Sequence, residues 1–91
     1  MVFLVTYDLN RPGQEYPALY DTISKIGAWW HFLDSTWLVD TTLTAGQIRD
    51  RIRMVVDPTD HFLVVQFGPT WASFLPKEAN DWIQEHTRRR V

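Results

Sequence analysis

Apolar residues in this chain switch repeatedly between two spacings, and that switching limits the fold more than any single motif. Val2 to Tyr7 is a short, near-continuous apolar run with β-branched members, the pattern of a strand covered on both faces. Tyr16, Leu19, Tyr20, Ile23 and Ile26 then recur at i, i+3, i+4, i+7 and i+10, which is the stripe of an amphipathic helix. Pro17 is tolerated only in a first turn, so this helix begins near Glu15 or Tyr16. Gly27 stands two residues beyond Lys25, where a left-handed C-terminal glycine is expected. Between strand and helix, Asn10-Arg11-Pro12-Gly13 reads as a turn.

The second half repeats the alternation. Trp29 to Asp40 is rich in aromatic and β-branched residues and holds neither Gly nor Pro. It reads as two strands, about 29–33 and 35–40, meeting near Asp34-Ser35, with one long bent strand as the alternative. Thr44-Ala45-Gly46-Gln47 is a capping box ahead of a helix with Ile48, Ile52, Val55 and Val56 on its apolar side. Asp57-Pro58-Thr59-Asp60 stops that helix. His61 to Phe67 is a further strand, broken by Gly68-Pro69, and a short extended piece is expected over 70–74. Pro76 suits the first turn of a last helix, about 76–88, with Leu75, Ala79, Trp82, Ile83 and His86 on one side.

The order is β-α-β-β-α-β plus a C-terminal helix. That predicts an α+β, ferredoxin-like domain over residues 1–91, with its core in 1–67. Right-handed crossovers place both main helices on one face of a four-stranded antiparallel sheet whose central strands are the first and third. With 91 residues there is one domain, and a chain of this size buries only about 60–70% of its unfolded surface. Fourteen per cent aromatics, including five Trp, exceeds what a small core needs. The second face of the sheet therefore wants a cover, which we assign in part to the C-terminal segment and in part to a second copy in a two-fold homodimer.

Composition narrows the chemistry. There are no cysteines, which excludes disulfides, iron–sulfur clusters and thiolate zinc sites. No apolar stretch approaches the ~18 residues of a membrane span, and no basic n-region precedes an apolar segment, so a cytoplasmic protein is expected. The net charge of −2 disfavours a dedicated nucleic-acid binder, although Arg49, Arg51 and Arg53 cluster locally and Arg88-Arg89-Arg90 precede the last residue, Val91. No Ser or Thr sits in a nucleophile elbow, no glycine-rich phosphate loop exists, and no histidine pair has helical ligand spacing. No organic cofactor is expected.

Asp8 is the residue that stands out. Alternation turns Phe3, Val5 and Tyr7 one way, toward the helices, and Leu4, Thr6 and Asp8 the other way. In a two-fold dimer that shares the outer face, each Asp8 has a mate, and two carboxylates near an axis need a proton or a cation between them. Oxygen ligands of this kind suit Mg²⁺ or Mn²⁺, which activate water for phosphodiester cleavage. The simpler reading is that Asp8 caps the turn that follows it. Trp29-Trp30-His31 raises the same pair of readings, base stacking or ordinary core and interface packing. Arg49 and Arg53 are phosphate contacts in one reading and a solvated helix face in the other.

Tyr7-Asp8 closing the first strand, the helix ending at Gly27, Ser35-Thr36-Trp37 entering the third strand and Asp57-x-x-Asp60 before the last strand resemble a known pattern. It is that of the small CRISPR-associated ferredoxin-like nucleases, the bridging subunit of the spacer-integration complex. The virulence-associated D toxins are related ribonucleases. The likeness is closer still to the small bacterial proteins often labelled SinR-like, and it covers residues 1–67. The resemblance implies a dimer, RNA or DNA contacts and a metal-dependent ribonuclease activity. It makes Asp8 the catalytic and metal-binding acid and puts Ser35 near the axis; Arg11, and Arg49 and Arg53 from the basic segment, are the further candidate nucleic-acid contacts. The sequence departs from that pattern in its acidic total, in having Arg11 alone just after Asp8, and in ending on a helix where an added strand is common. An inactive relative, working as a protein-interaction module through its aromatic sheet face and C-terminal helix, is the second expectation.

Overall fold

β1 (Val2–Asp8), α1 (Pro17–Ser24), β2 (Ala28–Leu33), β3 (Thr36–Asp40), α2 (Ala45–Arg53), β4 (His61–Gln66) and α3 (Lys77–Thr87) follow one another along the chain. They are seen in a computed structural model that describes residues 1–9 and 16–87. The four strands form one sheet in the order β2-β3-β1-β4, and every neighbouring pair is antiparallel. This is the expected ferredoxin-like α+β architecture, with β1 and β3 central. The turn at 10–13, Glu15 and the arginine run at 88–90 lie outside the described residues. Among the described residues no helix is long and apolar enough to cross a membrane.

Alternation along β1 sorts the sheet into two unlike faces. Phe3, Val5 and Tyr7 join Leu19 and Ile23 of α1, Ile48 and Ile52 of α2, and Trp37 and Val39 of β3 in one buried cluster. Each fully buried aliphatic side chain there contributes about 1.5–3 kcal/mol relative to exposure. On the other face Val2 and Leu38 pack against Ile83 of α3, flanked by Leu4, Trp30, Phe67, Trp71 and Leu75. The C-terminal segment therefore covers that face only in part. Leu33, Leu63 and Val65 stay 49%, 57% and 45% exposed.

Several local expectations are sharpened. Trp29 to Asp40 is a hairpin rather than one bent strand, with a register shift between Trp30 and Leu33 that kinks β2 before the turn at Asp34-Ser35. The capping box is complete: Thr44 Oγ1 accepts from the Gln47 N–H at 3.1 Å, and Gln47 Oε1 accepts from the Thr44 N–H at 2.9 Å. Residues 70–74 do not form a strand, and the Pro76 carbonyl accepts from Ala79 and Asn80, so Pro76 precedes α3 rather than starting its first turn.

Gly27 has a different role from the one expected. The end of α1 tightens instead of turning left-handed: the Lys25 N–H bonds the Thr22 carbonyl, and the Ile26 N–H bonds that of Ile23. Gly27 is there for space. A Cβ at this position would lie 2.1 Å from the Asp40 carbonyl oxygen. The chain leaves α1 pressed against the end of β3, and only a bare backbone fits.

Candidate site at the open end of the central strand

Tyr7 fixes the geometry of this end of the sheet. Its ring is buried, its hydroxyl accepts from Trp37 Nε1 at 3.0 Å, and it donates to the Asp34 carbonyl at 3.5 Å. Burial pushes the Tyr7 phenol above its usual range, against the Trp37 hydrogen bond, which pulls it down. The backbone is held as well, since the Tyr7 N–H donates to the Ser35 carbonyl at 3.0 Å. With Tyr7 anchored inward, Asp8 must turn outward, on the face away from α1 and α2.

Asp8 is exposed, and it pairs in register with His61, the first residue of β4. Next along the ladder Thr6 opposes Leu63 on one side and Thr36 on the other, where the two threonine hydroxyls lie 3.1 Å apart. Among the described residues the Asp8 carboxylate has no hydrogen bond and no ion pair, and the same holds for the His61 ring. The turn that Asp8 is expected to cap lies outside the described residues. A hollow of about 290 Å³ opens here, lined by Thr6, Tyr7, Asp8, His61, Phe62 and Leu63.

His61 and Phe62 also wall a second hollow, of about 480 Å³, between α2 and the start of β4. Arg49 and Arg53 line it, together with Asp57 and Asp60. Asp60 serves the fold: it is buried and accepts from the Asp57 N–H at 2.8 Å and the Tyr16 hydroxyl at 3.5 Å. Arg49 is held to Asp50 at 3.0 Å, whereas Arg53 makes no ion pair among the described residues.

The predicted residues therefore fall into two groups. Asp8 and Ser35 share one end of the sheet, Ser35 exposed in the β2–β3 turn. Arg49 and Arg53 occupy the neighbouring hollow rather than Asp8's own, with His61 common to both. Arg11 lies outside the described residues. Sequence reasoning passed over His61 because the three histidines are scattered. Its signal was the antiparallel order of β1 and β4, which brings the first residue of the last strand to the last residue of the first.

Among the described residues no cluster of three or more His, Asp or Glu side chains is placed to hold a metal ion. The described residues of one chain thus supply no all-protein cage. A hydrated Mg²⁺ or Mn²⁺ needs less: one or two carboxylates, with waters and substrate phosphates filling the remaining positions.

The aromatic stretch serves mainly for packing. His31 stacks on Trp37 at 4.1 Å, and its Nε2 lies 2.8 Å from the Asp34 carbonyl oxygen. Trp30 packs toward α3 on the opposite face, and Trp29 is 46% exposed beside Trp37, at 5.0 Å. Comparison with known proteins yields no matching family model and no matching curated relative.

Proposed function

We propose that the chain works as a homodimer on nucleic acid, as a weak Mg²⁺- or Mn²⁺-dependent endoribonuclease with Asp8 as the metal-binding acid. The observation that carries this reading is an exposed carboxylate without internal partners among the described residues, at the end of a central strand and next to an arginine-lined hollow. Asp60, by contrast, is buried and hydrogen-bonded within the fold. When bound, the ion would lower the pKa of a coordinated water and offset charge on the phosphodiester. Asp8 binds and orients it. Two Asp8 carboxylates near an axis repel each other until a cation or a proton intervenes, so their pairing favours metal uptake. Arg49, Arg53 and Arg11 contact backbone phosphates, and Ser35 offers a hydroxyl at the same end of the sheet as Asp8. The resemblance to small CRISPR-associated nucleases supports the assignment.

The test is cleavage of RNA by highly purified protein across a metal series. Asp8→Ala should lower the rate on the order of 100-fold, with the circular dichroism spectrum unchanged, because Asp8 is exposed. Metal-dependent cleavage that survives Asp8→Ala would sink the reading.

The exposure of Leu63, Val65 and Phe74 favours a second reading, a non-enzymatic module that binds another protein. RNA binding at physiological salt, with no protein recovered in a pull-down, would count against it.

A further inference from the structure

The chain carries a knob and a hole side by side, and we propose that two copies exchange them: Phe74 of one protomer inserts into the apolar cavity of its partner. The hole is a cavity of about 310 Å³ between the outer face of the sheet and the connector from β4 to α3. Leu4, Leu38, Trp30, Phe67, Trp71 and Ile83 form its walls. An apolar cavity of about 150 Å³ already holds benzene, so a phenyl ring fits here with room for the lining to close around it. The knob is Phe74, which stands at the cavity rim and is fully exposed.

Phe74 is poorly placed to fill its own cavity. Trp71 and Leu75, on either side of it, are turned inward against the cluster of Val2, Leu38 and Ile83. The Ser73 hydroxyl donates to the Asn80 side chain on α3. These anchors bracket Phe74 and aim it at solvent, so turning it inward means releasing them. The result is a large aromatic ring in water next to an unfilled apolar hole, and a second copy relieves both at once.

Adjacency also fixes the symmetry. Because knob and hole share one face, a single two-fold contact makes both insertions and closes at two copies. A knob far from its hole would instead build an open chain. Leu33 and Val65, both half exposed on the same face, extend the contact beyond the two rings. This inference rests on the homodimer in the functional reading above and is independent of any nuclease chemistry.

Sedimentation of the full chain over a concentration range tests it. The wild type should be a dimer at ~10 µM, and Phe74→Asp should weaken the dissociation constant at least ~30-fold. Phe74→Leu should largely retain the dimer. The Phe74→Asp monomer should keep the wild-type circular dichroism spectrum and take up an apolar dye that the dimer excludes, since its cavity is then open. A wild type that is monomeric at ~100 µM would overturn both this inference and the homodimer. If Leu63→Asp splits the dimer while Phe74→Asp leaves it as tight as the wild type, the homodimer stands and the exchange of Phe74 is wrong.

Discussion

The two faces of the sheet are built from the same strands and end up opposite in character. The face under α1 and α2 is sealed, with Val5, Val39, Leu19, Ile23, Ile48 and Ile52 all at 0% exposure. The face under α3 is covered at its β2–β3 side and open over β4, where Leu63 and Val65 remain in solvent. Asp8 and His61 lie at the rim of the open face, while Arg49 and Arg53 line the hollow beside α2. The contrast teaches that a four-stranded sheet of this length has enough helix to seal one face by itself. The other face is left available for partners, at the cost of some exposed apolar surface.

That contrast breaks first in the sealed core. Ile52 sits at 0% exposure in the cluster of Phe3, Val5 and Tyr7, so Ile52→Ala leaves a cavity in the sealed core. A loss of about 2–5 kcal/mol is expected. Leu63→Ala on the open face should change monomer stability by less than about 0.5 kcal/mol. Urea unfolding of both variants checks the pair. Comparable losses would mean that the open face is buried in solution, and the comparison would then have to be redrawn around the dimer.

Gly27 tests the seam between the sealed face and the end of β3. Gly27→Ala puts a methyl group against the Asp40 carbonyl, which is backbone and cannot swing away. A destabilisation of about 1–3 kcal/mol is expected, by the same urea assay. If its role were that of a left-handed helix cap instead, Gly27→Asn would restore stability, because Asn tolerates that conformation. With a steric role, Asn is no better than Ala.

How far the sequence reaches follows the same division. The period switches in Val2–Tyr7 and Tyr16–Ile26 identify strand and helix because each buries a stripe against the sealed core, and burial is what writes periodicity into sequence. The capping box Thr44–Gln47 is legible because both of its partners are local. Gly27 was misread because its constraint comes from Asp40, 13 residues further along the chain, and a glycine needed for space looks the same as one needed for a turn. His61 was missed for a related reason. Its pairing with Asp8 depends on the register between the first and last strands, which no local motif reports. Asp8 itself was legible as an interruption of an apolar run, but its outward position opposite His61 is a fact of three dimensions.

The smallest expected effect lies where α3 is latched to the partly covered face. Asp40 Oδ2 meets His86 Nδ1 at 2.7 Å, Asp40 Oδ1 lies 3.2 Å from the N-terminal ammonium, and His86 stacks on Trp82 at 4.1 Å. Partial burial pushes the Asp40 carboxyl upward, but the hydrogen bonds and charges of His86 and the N-terminus outweigh it and hold the carboxyl below its ordinary value of 3.8. A carboxyl depressed in the folded state stabilises that state above its unfolded pKa. The contribution is lost as pH falls through the folded value. The N-terminal partner is well exposed, so the whole latch contributes no more than about 1 kcal/mol. Asp40→Asn should therefore be less stable than the wild type by up to that amount at about pH 6 and nearly equal to it at about pH 2.5. Equilibrium denaturation at the two pH values reads the gap directly. A gap that persists in acid would mean that Asp40 holds α3 by shape and neutral hydrogen bonds. The partly covered face would then be closed by packing alone, as the sealed face is.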